Sequence, residues 1–348
     1  MKKLSQVALL LLVTLVQLSQ AQIYKVKDLG TLGGSFSVGS AVNNKNIAVG
    51  SSTLAGDIET SAVVWVKGTL TDLGTLGGNN SEADGINKIG AVVGASDLSD
   101  GITTHAFLFT TTMNDLGTLA GDAPGINSQA NGINNRGFVA GTSYLSDFTT
   151  QHAFRWNPKT NVMTDLGTLG GTNSYGNAIN SEGVVAGASD TATGGPDAAL
   201  FFVTTRGTRV LDLGTLGGPT SEALAINEEG QVVGSADTAT GTDAFLFSKG
   251  KMIDLATLGG SFAAARSITS DGIVVGTSNT TGDADAHAFI WTKNMGMVDL
   301  NTLIPANSGW DLQVAASINE EGIIVGSGIY TDPVNGPESH AFELRPKD

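Results

Sequence analysis

From residue 22 onward, apolar residues gather in short runs or alternate with polar ones, and each run is bounded by Gly, Asn, Asp, Ser or Thr. Alternation with a period of two marks strands, and boundaries of that composition mark turns. Hardly any segment shows helical apolar spacing. The runs also recur. A DL pair falls at Asp28, Asp72, Asp115, Asp165, Asp212, Asp254 and Asp299, at intervals of 44, 43, 50, 47, 42 and 45 residues. Three further phrases keep this beat. The first, A-x-x-I-N, ends at Asn87, Asn134, Asn180, Asn227 and Asn319, with Asn43 and Thr269 in variant copies. The second, G-x-V-V-G, ends at Gly50, Gly94, Gly141, Gly187, Gly234, Gly276 and Gly326. The third reads SAVVW, HAFLF, HAFRW, DAALF, DAFLF, HAFIW and HAFEL in the seven copies.

Between the first two phrases lies a tight-turn sequence, NKIG in one copy, with glycine where a type I hairpin turn needs it. Each repeat therefore holds four strands: A at the I-N phrase, B at V-V-G, C at H-A-F and D in the segment ending at D-L-G-T-L. Forty-odd residues carrying four strands is the period of a β-propeller blade. Residues Tyr24 to Leu32 form a D strand with no A, B or C before it, and the last copy ends at Leu344 with no D after it. The expected fold is thus all-β, a seven-bladed β-propeller of four-stranded blades in which the N-terminal strand completes the last blade and leaves no free edge. A β-helix or prism of stacked repeats is the alternative, and it leaves the complementary ends unexplained.

The first residues, MKKLSQVALLLLVTLVQLSQAQ, read as a secretory signal peptide occupying residues 1–21, with two lysines, an apolar run from Val7 to Val16, and Ser19 and Ala21 before the cut. A membrane anchor competes, but the run is short for a span. Residues 22–348 then form one repeat domain, exported to the periplasm or beyond the cell. That chain contains no cysteine, so its stability must come from a buried core. Removal of Lys2 and Lys3 leaves 16 basic residues against 33 acidic ones. This balance argues against nucleic acid and anionic membranes as partners.

The phrases DLGTLGG, I-N-x-x-G-x-V-V-G and HAFLW, with a last copy reading DLNTLIPANSGW and HAFELRP, resemble the bacterial extracellular HAF repeat family over nearly all of the exported chain. SAVVW, DAALF and the Ile304-Pro305 pair depart from the pattern. The resemblance implies an extracellular repeat protein and carries no catalytic residue or cofactor.

All four histidines, His105, His152, His287 and His340, open the third phrase in their repeats. Spread over four blades, they cannot converge as a triad or metal cluster, so each is expected to bond the D-strand aspartate of its hairpin, as His105 could bond Asp115. Asp197 and Asp243 stand at the same position in two other copies and need different partners. The seven DL aspartates lack a D-x-D-x-D-G ladder, so calcium is the weaker reading and acceptance of backbone N–H groups in the following turn the stronger. There is no G-x-S-x-G elbow, Walker loop or H-E-x-x-H motif, and no catalytic residue, metal site or cofactor is assigned.

In an A-B-C-D meander, the B–C loops and D–A connections share one face. Loop length varies most there, from 11 residues between Gly234 and Phe245 to 16 between Gly326 and Phe342. Variable loops host binding without disturbing a scaffold. Trp310 is the only tryptophan outside strand C; Tyr144 and Tyr330 read as B–C loop residues and Tyr175 as a D–A residue, so these four are the candidate stacking residues for sugar rings. The expected function is that of a monomeric, non-catalytic binding protein that contacts a polysaccharide or surface protein. A glycan hydrolase or lyase would instead need carboxylates converging within about 5 to 10 Å in the central funnel. A structural surface or matrix protein would present a flat apolar or edge-like patch.

Overall fold

In the computed structural model, which describes residues 23–121, 123–332 and 336–347, the alternating runs become 28 strands with no α-helix among the described residues. The expected signal peptide lies outside them. Two single turns of 3-10 helix, Thr281–Asp283 and Leu300–Leu303, interrupt the pattern. The first repeat shows the unit: strands A (Gly33–Val42), B (Ile47–Leu54), C (Thr60–Val66) and D (Thr69–Asp72) pair antiparallel in that order.

The I-N asparagine makes the A–B hairpin. Asn43 Oδ1 accepts the N–H groups of Lys45 and Ile47, an Asx turn, while Asn46 N–H returns to Asn43 O. Its amide points away from its own repeat and donates to the next: Asn43 to Asn87 O at 3.0 Å, Asn87 to Asn134 O at 3.3 Å, Asn134 to Asn180 O at 2.8 Å, and Asn227 to Thr269 O at 3.0 Å. Asn319 donates to Asn43 O at 3.0 Å, so the last repeat bonds the first.

The final glycine of G-x-V-V-G is obligatory for a different reason. A Cβ on Gly50 would sit 1.8 Å from Val38 O, and one on Gly141 2.0 Å from Gln129 O and 2.7 Å from the Phe154 ring. Strand A therefore approaches strand B as closely as backbone allows, and the H-A-F phenylalanine fills the space beside the glycine. Phe107, Phe154, Phe245, Phe289 and Phe342 are fully buried, each contributing about 2–3 kcal/mol by apolar burial. The apolar residues gather into seven clusters that mix neighbouring repeats, such as Val49, Ala62 and Leu73 with Ala83, Val92 and Phe107.

Connected sheets number five among the described residues, two of eight strands and three of four. Each eight-stranded sheet is two A-B-C-D ladders joined by one parallel pair, Phe36 with Ser339 and Thr242 with Phe262. Simple separation into four-stranded sheets, as the repeat pattern suggests, is thus modified at two junctions. The A strands neighbour one another in chain order, and the last (Trp310–Ile318) also neighbours the first. Tyr24–Asp28 pairs antiparallel with the last C strand, Gly336–Pro346, from Tyr24 opposite Pro346 to Asp28 opposite Phe342. Leu29 packs with Val42, Val63 and Trp65 of the first repeat and with Val325 and Ala341 of the last.

Candidate functional site

The end of the molecule carrying the B–C loops and D–A connections, the upper face, is shaped first by the DL aspartate. Every copy makes the same Asx turn. Asp28, Asp72, Asp115, Asp165 and Asp212 accept the N–H of the glycine two residues on, Asp254 that of Ala256 and Asp299 that of Asn301, all at 2.7–2.8 Å. In six of the copies the residue donating this N–H is left-handed, with φ +74° at Gly30, which is why glycine is preferred there. A serine of the next A strand then joins repeats: Ser81 Oγ accepts from Ala62 N–H and donates to Gly74 O.

Each histidine meets the aspartate of its hairpin: His105 Nδ1 with Asp115 at 2.9 Å, His152 with Asp165 at 2.8 Å, His287 with Asp299 at 2.7 Å. His340 reaches Asp28 at 3.1 Å, across the junction between chain start and chain end. Burial raises the Asp115 carboxyl, but the His105 bond, the Gly117 N–H and the imidazole charge together hold it below its usual range. Where aspartate replaces histidine, two carboxylates face each other. Asp197 is raised by burial and by Asp212, and Asp243 by burial and by Asp254. The four histidines do not converge. Among the described residues no group of His, Cys, Asp or Glu has the arrangement of a metal site.

The four aromatic candidates lie on strands rather than in loops, because the strands at this face run longer than their sequence boundaries suggest. Trp310 opens the last A strand and stacks on its cross-strand partner Tyr330, with ring centroids 5.0 Å apart; its edge packs on Phe342 at 5.8 Å. Those contacts make Trp310 part of the wall around Phe342 and Leu344. Tyr144 ends the third B strand (Val139–Tyr144) and Tyr175 lies inside the fourth A strand (Gly170–Ile179). The Tyr175 hydroxyl is raised by burial first, then by the charges of Asp190, Tyr144 and Glu222.

Tyr144 closes one end of a trough that the sequence reading did not locate. A cavity of about 410 Å³ is lined by Phe36, Thr60, Asn80, Glu82, Asp97 and Thr104, among others. An adjoining cavity of about 290 Å³ shares Glu82, Ala95 and Thr104 with it and continues past Asn127, Gln129 and Gln151 to Tyr144. The trough thus crosses the first three repeats with an aromatic ring at each end. Its floor is fixed by hydrogen bonds: Asn80 Nδ2 and Thr104 Oγ1 donate to Asp97 at 2.9 and 2.8 Å, and Gln129 Nε2 donates to Glu82 at 3.0 Å and to Asp84 at 3.1 Å.

Beneath the trough runs a central channel of about 310 Å³, lined by residues of all seven A strands. Each A strand carries a register shift before its I-N phrase, as between Ala83 and Gly85. The extra residue faces the channel: Ser40, Asp84, Asn131, Asn177, Leu224, Arg266 and Ala316. Burial, then the neighbouring Glu82 charge, pushes the Asp84 carboxyl up to about 8 against the opposing Gln129 bond. Glu82 is raised in turn by burial and by Asp97. The available sign was the variable position inside A-x-x-I-N. A residue that changes from copy to copy within an otherwise constant strand is free of the interblade packing.

A family model described as "Protein of unknown function (DUF3466)" matches residues 120–338. No curated protein matches the sequence. Among solved structures, the β-propeller domain of the Trilobed protease from Pyrococcus furiosus aligns at 9% identity and a TM-score of 0.51, over 90% of this chain and 96% of that one. TolB from Acinetobacter baumannii aligns at 11% identity and a TM-score of 0.51 over 75% of this chain, which spans only 62% of TolB. The extracellular domain of a hybrid two-component system from B. thetaiotaomicron aligns at 9% identity and a TM-score of 0.50, over 93% and 40% of the two chains. At such identities the likeness is one of fold, and it makes this an all-β, propeller-like protein. No helix among the described residues is long and apolar enough to cross a membrane.

Proposed function

The chain belongs to the DUF3466 family, and from that starting point we propose that it is an exported seven-bladed β-propeller, closed by its own N-terminal strand, that binds saccharides. Closure is supported by the Tyr24–Asp28 pairing, by the Asn319 bond to Asn43 O and by a channel that all seven A strands line. Export is supported by the N-terminal MKKL…AQ segment and by the resemblance of the repeat phrases to the extracellular HAF repeats.

The trough from Phe36 to Tyr144 carries the binding reading. Its volume lies in the range of roughly 300–1,000 Å³ typical of ligand sites. Its lining of amides, hydroxyls and carboxylates offers paired donors and acceptors to vicinal hydroxyls, and its terminal rings offer flat apolar faces to the C–H side of a sugar. Trp310 and Tyr330 already use one ring face on each other, so the emphasis moves from them to Phe36 and Tyr144. A glycan array probed with the mature protein tests this. Binding that falls about tenfold in Phe36→Ala and Tyr144→Ala, as loss of one stacking contact should produce, supports it. No binding to any glycan overturns it.

One observation favours a second reading, a glycan hydrolase or lyase. Asp84, raised to about 8, keeps its proton at neutral pH two residues from Glu82 on one strand. An acid beside a base is the pairing glycoside cleavage uses. Chromatography of any bound oligosaccharide after prolonged incubation decides between the two: cleavage that is lost in Asp84→Asn while binding persists favours the enzyme, and intact sugar favours the binding protein.

A further inference from the structure

Charge divides across this molecule by face. None of the 16 lysines and arginines beyond residue 22 lies in a B–C loop or a D–A connection. They occupy the A–B and C–D turns, as Lys45, Lys67, Lys88, Arg136, Lys159 and Lys249 do, or the strands between. Arg266, the base nearest the upper face, points into the channel rather than into the trough. The upper face carries instead the seven DL aspartates and loop acids such as Asp57, Asp100, Asp147 and Asp285.

Within the trough, Glu82 and Asp97 have only neutral donors. Gln129 serves Glu82; Asn80 and Thr104 serve Asp97. Neither has a lysine or arginine at ion-pair distance among the described residues. Two nearby carboxylates without a counter-charge destabilise one another; the Glu82 carboxyl is raised first by burial and then by the Asp97 charge. A ligand bringing a positive charge removes the repulsion, whereas a uronate or sulfated sugar adds to it.

We infer that the trough selects cationic saccharides, oligomers of unacetylated amino sugar, with a ring ammonium placed between Glu82 and Asp97 and sugar faces on Phe36 and Tyr144. This rests on the saccharide reading above and sharpens it. The ammonium supplies the counter-charge that both carboxylates lack, and a face without lysine or arginine, its acids outnumbering its four histidines, draws a polycation toward the trough before contact. Asn127 and Gln151 remain for the neutral hydroxyls, so recognition does not reduce to charge.

Titration calorimetry with a glucosamine tetramer, its N-acetylated counterpart and a tetramer of galacturonate, at pH 6 with EDTA present, separates the outcomes. EDTA removes any divalent cation that could bridge the carboxylates to an acidic or neutral sugar. The glucosamine tetramer should bind at least tenfold more tightly than the N-acetylated one, and the galacturonate should not bind. The preference should shrink in 0.5 M salt. Glu82→Gln, checked for an unchanged melting temperature, should shrink the preference for the glucosamine tetramer over the N-acetylated one from tenfold or more to about twofold or less; Asp97→Asn should act in the same direction. Equal binding of the two tetramers, tighter binding of the neutral or acidic one, or a preference that survives Glu82→Gln and Asp97→Asn overturns the inference and leaves a saccharide-binding propeller standing. Absence of binding by all three, together with an empty glycan array, overturns the saccharide reading itself.

Discussion

At the scale of single residues, Asp84 is the clearest case of a side chain whose chemistry comes from its place. In sequence it is the variable residue of ADGIN, an acid in a strand like many others here. The register shift before Gly85 turns it into the channel, where burial and the Glu82 charge push its carboxyl up to about 8 from 3.8. The folded protein therefore keeps a proton between those two values that the unfolded chain has shed. Stability must fall as pH rises through that window, and the cost is fully expressed only above about 8. Asp84→Asn keeps an acceptor for Gln129 and removes the titration. It should leave the melting temperature unchanged near pH 4 and raise it by a few degrees at pH 8. Scanning calorimetry of both proteins across that range checks this, and parallel pH profiles would contradict it.

At the scale of the element, the C–D hairpin shows one strand pair built with three chemistries. The H-A-F phrase of strand C opens with histidine in four repeats, aspartate in two and serine, Ser61, in one, yet the partner aspartate stays opposite the same C-strand position throughout. Phe154 faces Asp165, Phe245 faces Asp254 and Val63 faces Asp72. With the register constant, Asp243→His should place an imidazole where His152 sits and turn the Asp243–Asp254 repulsion into a bond. The variant should be stabilised on the order of 1 kcal/mol at pH 6–7, read as a higher midpoint of urea unfolding. A lower midpoint would show that the hairpin in this repeat cannot accept the ring. The His–Asp partnership was legible in sequence because the H-A-F phrase precedes the DL pair in every repeat that carries a histidine before its D strand, even though their separation varies from 10 to 13 residues. The acid–acid contacts were visible only as a need for other partners. Their answer depends on how deeply each hairpin end is buried, which local spacing does not encode.

At the scale of the whole molecule, the N-terminal strand carries the ends of the chain. Tyr24–Asp28 covers the last C strand, Asp28 bonds His340, and Trp65 Nε1 donates to Leu29 O at 2.8 Å. Deleting residues 23–32 should therefore expose the Gly336–Pro346 edge and strip the cluster around Leu29, Val325 and Ala341 of its centre. The expected result is a melting temperature lowered by 10 °C or more, on the order of several kcal/mol of lost burial and pairing, with self-association in sedimentation velocity. A truncated protein that melts like the full chain would mean that the pairing of the ends contributes nothing to stability.

The sequence by itself determined the strands, their antiparallel A-B-C-D order and the pairing of the chain's ends, but not the two parallel contacts that join repeats into sheets of eight. These rest on local rules: alternation makes strands, Asn and Gly make the A–B turns, and each phrase packs against the same phrase one repeat away. Only the tertiary structure decided where the trough lies. The trough draws Phe36 from the first repeat, Glu82 and Asp97 from the second, and Gln129 and Tyr144 from the third. No spacing in the chain marks them as neighbours. They meet because the repeats are laid side by side. The same packing occupies Trp310, whose isolation in sequence made it the natural first candidate. Its ring stacks on Tyr330, a cross-strand partner that appears only once the last two strands are paired.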